Sequence, residues 1–566
     1  MNIVVISGGS GNDALIKGLH SFYPDANVKV LVNAYDAGKS TGVCRQVTNT
    51  LGVSDIRKNH IRMYKAVNSD PNQCFVEFYD ARYDFTLNRE VEEICEKLDA
   101  WNLSYLKDYV VRFFEQETAR NYEYKDFNVS NIVYSQMYAE LGYEYTNKFF
   151  CDLLSLDDFV VLNSFDNIFI EAVTASGKVI EEEGDLVEYC NPDDIIVKLN
   201  YKLHGDSAGL NIYAIKAVLD ADLIIVSTGT FWSSIFPTLE YQDFYKHINE
   251  SSAKKIWAIN AAPDKDCYGV GSNKMIEFVE NLGLDLESFT ILENADAEKI
   301  LKQKTTRSNV VYEAMGNNKG KHDGLKYARA ILKYYYGLQN LDKYSKVIVD
   351  FDDTLWARKG NEEVSRDNVR LFSELKDQGC VVSGNSYSSI EPKLRTVFGS
   401  DMTKFPADIW ADANSTLYQL GKKVSVVPEL LLTGNYKALI DHLATVYGLN
   451  CTTNDDVNVT CVKIKPLDEF TRIILSNYLN DYMLPACGMM LCKATPTGKT
   501  TVDILSQRNN KMAILPYLNV DLPTALFIGD EVNKGNDKEI AFYCGSSIHV
   551  KDVKETNMIL KILLNK

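Results

Sequence analysis

The 566-residue chain carries 60 Lys and Arg against 77 Asp and Glu, and the net charge of −17 argues against nonspecific binding of nucleic acid or of an anionic membrane surface. It is too long for one ordinary core, so two to four domains are expected. Twelve scattered cysteines without a C-x-x-C pair, and no apolar run of membrane-spanning length, read as a cytoplasmic chain with reduced thiols, no disulfide framework and no structural zinc.

The opening "MNIVVISGGSGNDALIKGLHSF" has no cationic start or cleavage-like site, and reads as a strand, a glycine-rich turn and a helix. Gly8, Gly9 and Gly11 would let backbone N–H groups approach a ligand, and a helix N-terminus attracts anions. The turn lacks the Lys-Ser/Thr of a P-loop, and such turns also occur for tight packing alone. The second strand, "VKVLVNA", leads into "YDAGKSTGVCRQ" and "LGVSDIRKNHIRM", which gather Asp36, Lys39, Ser40, Thr41, Arg45, Asp55 and Arg57. Mixed acid, hydroxyl and base in glycine-rich loops suits a nucleoside diphosphate with a metal, and equally an ordinary pair of solvated loops. Residues 75–125, rich in Tyr, Phe and Glu, match no motif. Further on, the strand in "ADLIIVSTGTFWSSIFPTL" is followed by Thr228, Gly229, Thr230, Ser233 and Ser234, and the strand "KKIWAIN" ends at Asn260.

A polar Gly/Asn/Lys patch and a helix precede "YSKVIVDFDDTLW", so the main boundary is placed near residue 340. Strand alternation puts Asp350 and Asp352 on one side of the chain as it leaves the sheet. Two carboxylates there can hold Mg²⁺, or one can attack phosphorus while the other shuttles a proton. "CVVSGN" ends a strand with Ser383, "ATPTGKTTVDIL" is expected to put Lys499 at a helix start, and "ALFIGDEVNKGNDKEI" supplies Asp530, Asn536 and Asp537. Any one piece also fits an ordinary surface residue or acidic turn; four in this order make one phosphoryl site. Hairpin signals between residues 406 and 490 suggest an inserted cap.

These strings carry two resemblances. D-x-D-x-T, Ser, Lys and G-D…N-D in this order resemble the haloacid dehalogenase (HAD) superfamily over residues 345–566, in the branch whose cap lies between the Ser and Lys motifs, that of sugar-phosphate phosphatases and phosphomannomutases. That resemblance implies Asp350 as nucleophile, Asp352 as general acid/base, Ser383 and Lys499 as phosphoryl-binding residues, and Mg²⁺ among Asp350, Asp352, Asp530 and Asp537. The blocks "GGSG", "D-x-G-x-S-T-G…R", "DIRKN" and "ADLII…GT…S…P-T-L" resemble the family of 2-phospho-L-lactate transferase and the UDP-sugar-binding gluconeogenesis factor. It implies a Rossmann-like nucleotide fold in which Gly8, Gly9, Ser10 and Gly11 hold phosphates, Asp36 lies by the metal or acceptor, and Thr228, Gly229 and Thr230 line the nucleotide pocket.

The expected architecture is therefore α/β throughout. A Rossmann-like parallel-sheet domain spans residues 1–340, and a HAD-like Rossmannoid core spans 341–405 and 491–566 with an α+β cap at 406–490. The expected function is a bifunctional enzyme: a Mg²⁺-dependent phosphatase fused to a nucleotide-dependent transferase. Its partners would be a phosphorylated small molecule, a nucleotide or nucleotide sugar, and further copies of itself in a homo-oligomer. The alternatives are a nucleotide-sugar sensor regulating the phosphatase, and a phosphosugar mutase.

Overall fold

Short runs of β-branched residues frame the first unit of the computed structural model. The structure describes residues 1–9, 12–260, 265–267, 270–295, 307–316, 321–465, 467–497, 500–533 and 537–566. They fall into two units, Met1–Tyr335 and Tyr336–Lys566.

The strands of the first unit are β1 (Asn2–Ile6), β2 (Asn27–Val32), β3 (Val160–Leu162), β4 (Ile168–Thr174), β5 (Val179–Ile180), β6 (Ile196–Leu203), β7 (Leu223–Val226), β8 (Lys254–Ala258), β9 (Phe289–Asn294) and β10 (Val310–Glu313). Seven of them pair in parallel in the order β10-β9-β8-β7-β1-β2-β3. Parallel pairing requires crossovers on the sheet faces, and β3 and β7 are accordingly buried along their whole length. The chain leaves β1 toward β2, while β7 lies on the other side of β1. Such a reversal opens a crevice at the carboxyl ends of the two strands. The turn after β1 and the turn after β7 both lie there.

The Tyr- and Phe-rich stretch that matched no motif is helical, with helices Gln73–Asp80, Glu90–Ala100, Lys107–Glu115 and Val129–Leu153. With the helix that follows, its aromatics pack in one core with β2 and β3 of the sheet: Phe78, Tyr79, Phe113, Phe127, Tyr134 and Phe150 are buried together with Val30, Val32, Val160 and Leu162, and Tyr134 stacks on Phe150 with ring centroids 3.7 Å apart. Strands β4, β5 and β6 make a small antiparallel sheet.

The second unit contains β11 (Val347–Asp350), β12 (Gly379–Val382), β13 (Asp408–Ala411), β14 (Thr416–Gln419), β15 (Lys422–Val426), β16 (Cys451–Thr453), β17 (Cys461–Ile464), β18 (Cys492–Thr497), β19 (Thr501–Ser506), β20 (Leu526–Gly529) and β21 (Ser546–His549). The main sheet runs β15-β14-β13-β12-β11-β20-β21, with the β13–β14 and β14–β15 pairs antiparallel and the other pairs parallel. Here too the winding reverses at the first strand, between β11 and β20. A second, antiparallel sheet, β16-β17-β19-β18, is backed by helices Tyr436–Tyr447 and Glu469–Tyr478, with Leu439, Leu443, Val462, Ile464, Val502 and Ile504 between them.

The expected cap limits need correction at both ends. The hairpin "STLYQLGKKVSVV" extends the core sheet, because Leu420 and Gly421 turn it tightly at φ 48° and 79° and return β15 onto β14. At the other end, residues 501–506, expected to be helical, form β19 of the cap sheet. Their alternation of buried Val502 and Ile504 with Thr501 and Asp503 is a strand pattern. Among the described residues no helix is long and apolar enough to cross a membrane.

In the first unit, helix Asp13–Phe22 carries the chain away from the crevice and crosses helix Gly324–Tyr335 at two glycines. A Cβ on Gly18 would lie 2.0 Å from the Gly324 carbonyl oxygen, and one on Gly324 would lie 2.5 Å from that of Ala14. Both obstacles are backbone, so neither can swing aside. Gly18→Ala should therefore lower stability by about 1–3 kcal/mol despite alanine's better helix propensity. Thermal unfolding checks this, and an unchanged or raised melting temperature would contradict the close crossing.

Candidate functional site

The reversal in the second unit places its carboxylates. β11 ends on Asp350, and its neighbour β20 ends one residue before Asp530. Asp537 reaches the same point across Gly529, where a Cβ would lie 2.4 Å from the Asp537 Oδ2. Asp350, Asp530 and Asp537 bring carboxylate oxygens within 4.8 Å of one another. Facing them is Lys511, only 2% exposed, whose ammonium donates to Asp350 Oδ1 at 2.5 Å and to Asp537 Oδ1.

Three carboxylates against one ammonium leave an excess of buried negative charge. Burial, opposed by Lys511 and reinforced by Asp537, pushes the Asp350 carboxyl up to about 7. Burial and Asp537 likewise raise Asp530. Burial would lower the Lys511 ammonium, but Asp350 and Asp537 outweigh it and hold that group above its ordinary value. Hard oxygen donors with residual negative charge fit a small divalent cation.

Other expected residues fall on either side of this cluster. Asp352 is not part of the three-carboxylate group: its carboxylate accepts from the Asn385 amide and pairs with Lys393 at 3.5 Å. A metal-ligand role for the Asp352 side chain is thus corrected to a position beside the cluster. Asp353 adopts φ 54° and turns away to pair with Arg358 at 3.1 Å, while buried Thr354 donates to Asp530 Oδ1 at 3.3 Å. Ser383 follows β12, whose Val382 is in register with Asp350, and its Oγ accepts from the Asn385 N–H at 3.0 Å. Three successive left-handed residues, Asp412, Ala413 and Asn414, aim their N–H groups at the carbonyls of residues 383–385 and fix that loop.

Lys499 and Asn536 lie outside the described residues. The strands on either side of Lys499 are β18 and β19 of a cap hairpin, not the start of a helix. The lysine that meets Asp350 is Lys511, at the head of a short 3₁₀ turn capped by the Asn510 side chain. The sequence signal was available in "RNNKMAIL", an asparagine cap followed by lysine before an apolar run.

In the first unit, the crevice holds a cavity of about 240 Å³ whose walls include Gly9, Asp36, Asp55, Lys58, Glu183 and Thr230. A Cβ on Gly8 would lie 2.5 Å from Ser234 Oγ, and one on Gly9 would lie 2.0 Å from Asp55 Oδ1, so a side chain at either position would have to displace Ser234 or Asp55 from the cavity wall. Gly229 packs against Gly8, and its N–H donates to Asn260 at 3.3 Å. Thr230 Oγ1 lies 2.6 and 2.9 Å from Ser233 Oγ and Ser234 Oγ. Thr228 is buried; Ser10 and Gly11 lie outside the described residues.

The Asp36 loop is held by Arg45, whose guanidinium donates to the carbonyls of Tyr35 and Asp36 at 3.0 and 3.2 Å and lies over Phe169. Glu183, after the β4–β5 hairpin, is the acid that sequence reading missed, because only the fold brings it to Asp36. Burial, then Asp36 and Asp55, hold the Glu183 carboxyl well above its usual range, and its hydrogen bond with Asp36 acts in the same direction. Burial works to raise Asp36, but Lys58 and the Gly38 N–H bring it below its ordinary value. Asp55 is raised by burial despite Lys58.

Fold and sites together define a fusion of two doubly wound α/β units: a Rossmann-like one with a glycine-lined acidic cavity, and a second one with a buried carboxylate–lysine cluster. Residues 3–336 match the model of the family described as 2-phospho-L-lactate transferase CofD, and the chain belongs to that family. A protein of Aquifex aeolicus described as a candidate gluconeogenesis factor is 22% identical over 302 residues, covering 52% of this chain and 77% of its own. One of Clostridium acetobutylicum with the same description is 20% identical over 315 residues, 53% of this chain and 58% of its own. Among solved structures, a Bacillus halodurans protein covers 58% of this chain and 99% of its own at 16% identity, TM-score 0.44. A haloacid dehalogenase-like hydrolase from Bacteroides thetaiotaomicron covers 39% of this chain and 99% of its own at 14% identity, TM-score 0.31.

Two outcomes follow from the carboxylate cluster. Lys511→Met leaves the buried acids without their ammonium, and should cost about 3–5 kcal/mol in chelator. Millimolar Mg²⁺ should restore part of the lost melting temperature by binding the folded state; no response to Mg²⁺ would contradict a cation site. Asp350 has a folded value of about 7, above its unfolded value. The stability it contributes is therefore complete below about pH 4 and is lost as pH rises toward 7. Urea unfolding of metal-free protein should show this fall, and Asp350→Asn should flatten it.

Proposed function

We propose that the second unit is a Mg²⁺-dependent phosphatase of a phosphorylated sugar or similar small metabolite. The observation that carries this is Asp350 at a strand end, bonded to Lys511, with Asp530 and Asp537 alongside. Asp350, Asp530 and Asp537 would hold the Mg²⁺, which would offset the charge of the phosphoryl oxygens. An Asp350 oxygen attacks phosphorus and the ester P–O bond breaks, while Asp352, oriented by Asn385 and Lys393, gives the leaving oxygen its proton. Water then attacks phosphorus of the aspartyl-phosphate and yields its proton to Asp352, which releases inorganic phosphate and frees Asp350. Ser383 and Lys511 bind the transferring phosphoryl group, a role that replaces the one expected of Lys499.

For the first unit, the same reading is a nucleotide-dependent transfer of a phospho-group to a hydroxyl acceptor. Family membership and the two close-approach glycines support it: Gly8 and Gly9 let the diphosphate meet backbone N–H groups, and Ser233 and Ser234 offer hydroxyls beside them. Asp36, Asp55 and Glu183 offer acid groups for a metal or for the acceptor hydroxyl.

Release of inorganic phosphate from a panel of sugar phosphates tests the phosphatase. It should require Mg²⁺ and fall at least about 10³-fold in Asp350→Asn, as expected when a nucleophile is removed. Undiminished release in that variant would sink the assignment. The transferase reading expects nucleoside monophosphate to form only when donor and acceptor are both present.

A further inference from the structure

The cavity of the first unit has a second, basic side that the glycine turn does not explain. Lys39, Ser40, Thr41 and Arg82 line it along with Gly9, Ser233 and Ser234. Arg82 comes from the chain between helices Gln73–Asp80 and Glu90–Ala100, part of the stretch that matched no motif. Both cations are held by one residue: Asp126 pairs with Lys39 at 3.0 Å and with Arg82 Nε at 2.7 Å. Arg82 Nη2 also reaches Ser40 Oγ at 3.5 Å. The buried Asn131 amide donates to Ser40 Oγ at 2.8 Å and to Thr41 Oγ1 at 3.3 Å, so these hydroxyls have fixed positions.

The Asp126 bridge is easily opened. The side chains are 73% exposed for Lys39, 35% for Arg82 and 52% for Asp126, and exposed pairs are worth only about 0.2–1 kcal/mol each. Lys39 and Asp126 both adopt left-handed backbone, at φ 44° and 48°, which non-glycine residues rarely do without a positional demand. A carboxylate thus occupies two cations on the wall of a cavity, with hydroxyl donors beside them, where a ligand carboxylate or phosphate could replace it.

We propose that the acceptor taken by this cavity bears its own anionic group, a phosphate or carboxylate, which displaces Asp126 and binds Lys39, Arg82 and Ser40. The proposal rests on reading the cavity as a two-substrate site. It assigns the glycine side to the nucleotide and the Lys39–Arg82 side to the acceptor.

Calorimetric titration of the full chain with inorganic phosphate and, separately, succinate tests it. The phosphoryl site of the second unit is identical in every variant, so differences between variants report the first unit. Asp126→Asn should tighten binding of at least one anion by about fivefold, the loss of roughly 1 kcal/mol of competing ion pairing. Arg82→Gln should weaken it, and the double variant should behave like Arg82→Gln. A response to phosphate alone or to succinate alone identifies the anionic group; no response to either in Asp126→Asn overturns the proposal. UDP and GDP titrations separate the two readings. If neither binds any variant while the anions still respond, the nucleotide reading fails alone. If Arg82→Gln abolishes nucleotide binding, the diphosphate itself sits on the basic side and the acceptor assignment is wrong.

Discussion

Both sites depend on one constraint, the reversal of strand order at the first strand of each unit. Parallel strands end with their last side chains and unpaired backbone groups pointing the same way. Where winding changes direction, no crossover covers that end. In the second unit this puts Asp350 beside Asp530; in the first it puts the glycine turn after β1 beside the hydroxyl-rich turn after β7. The crowding of carboxylates in "VDFDDT" is therefore a property of a place in the fold as much as of a string of residues.

The charge balance follows from that placement. Lys511 offsets part of the buried negative charge at Asp350 and Asp537, and the rest shows in the raised carboxyls of Asp350 and Asp530. The first unit uses another arrangement: Lys58 stands by Asp55, and Asp36 and Asp55 help raise the Glu183 carboxyl that sits against Asp36. Each is a different answer to like charges brought close together in a low-dielectric pocket.

How much of this could be read from the residues follows from the range of the interactions. Strand ends were legible, since a buried apolar run and its terminating polar residue lie within a few positions; hence Asp350, Ser383, Asp530 and the glycine turn at Gly8. The expected helix after "ATPTGK" was misread because that string carries turn residues that serve a hairpin as well as a helix start, and the pairing of β18 with β19 decides between them. Glu183 and Arg82 had no local signal. A lone acid or base in a loop looks the same whether it faces solvent or a cavity.

The sequence by itself determined the α/β class, the two-part organisation and the order of the polar strand ends, because periodicity and strand-end chemistry are local. Tertiary structure alone decided which lysine meets Asp350, that β14 and β15 belong to the core sheet, and that Asp352 turns to Asn385 and Lys393. It also brought Glu183 and Arg82 to the cavity of the first unit. Those outcomes depend on strand pairing and on side-chain approach across long stretches of chain, where a one-residue change of register redirects every side chain.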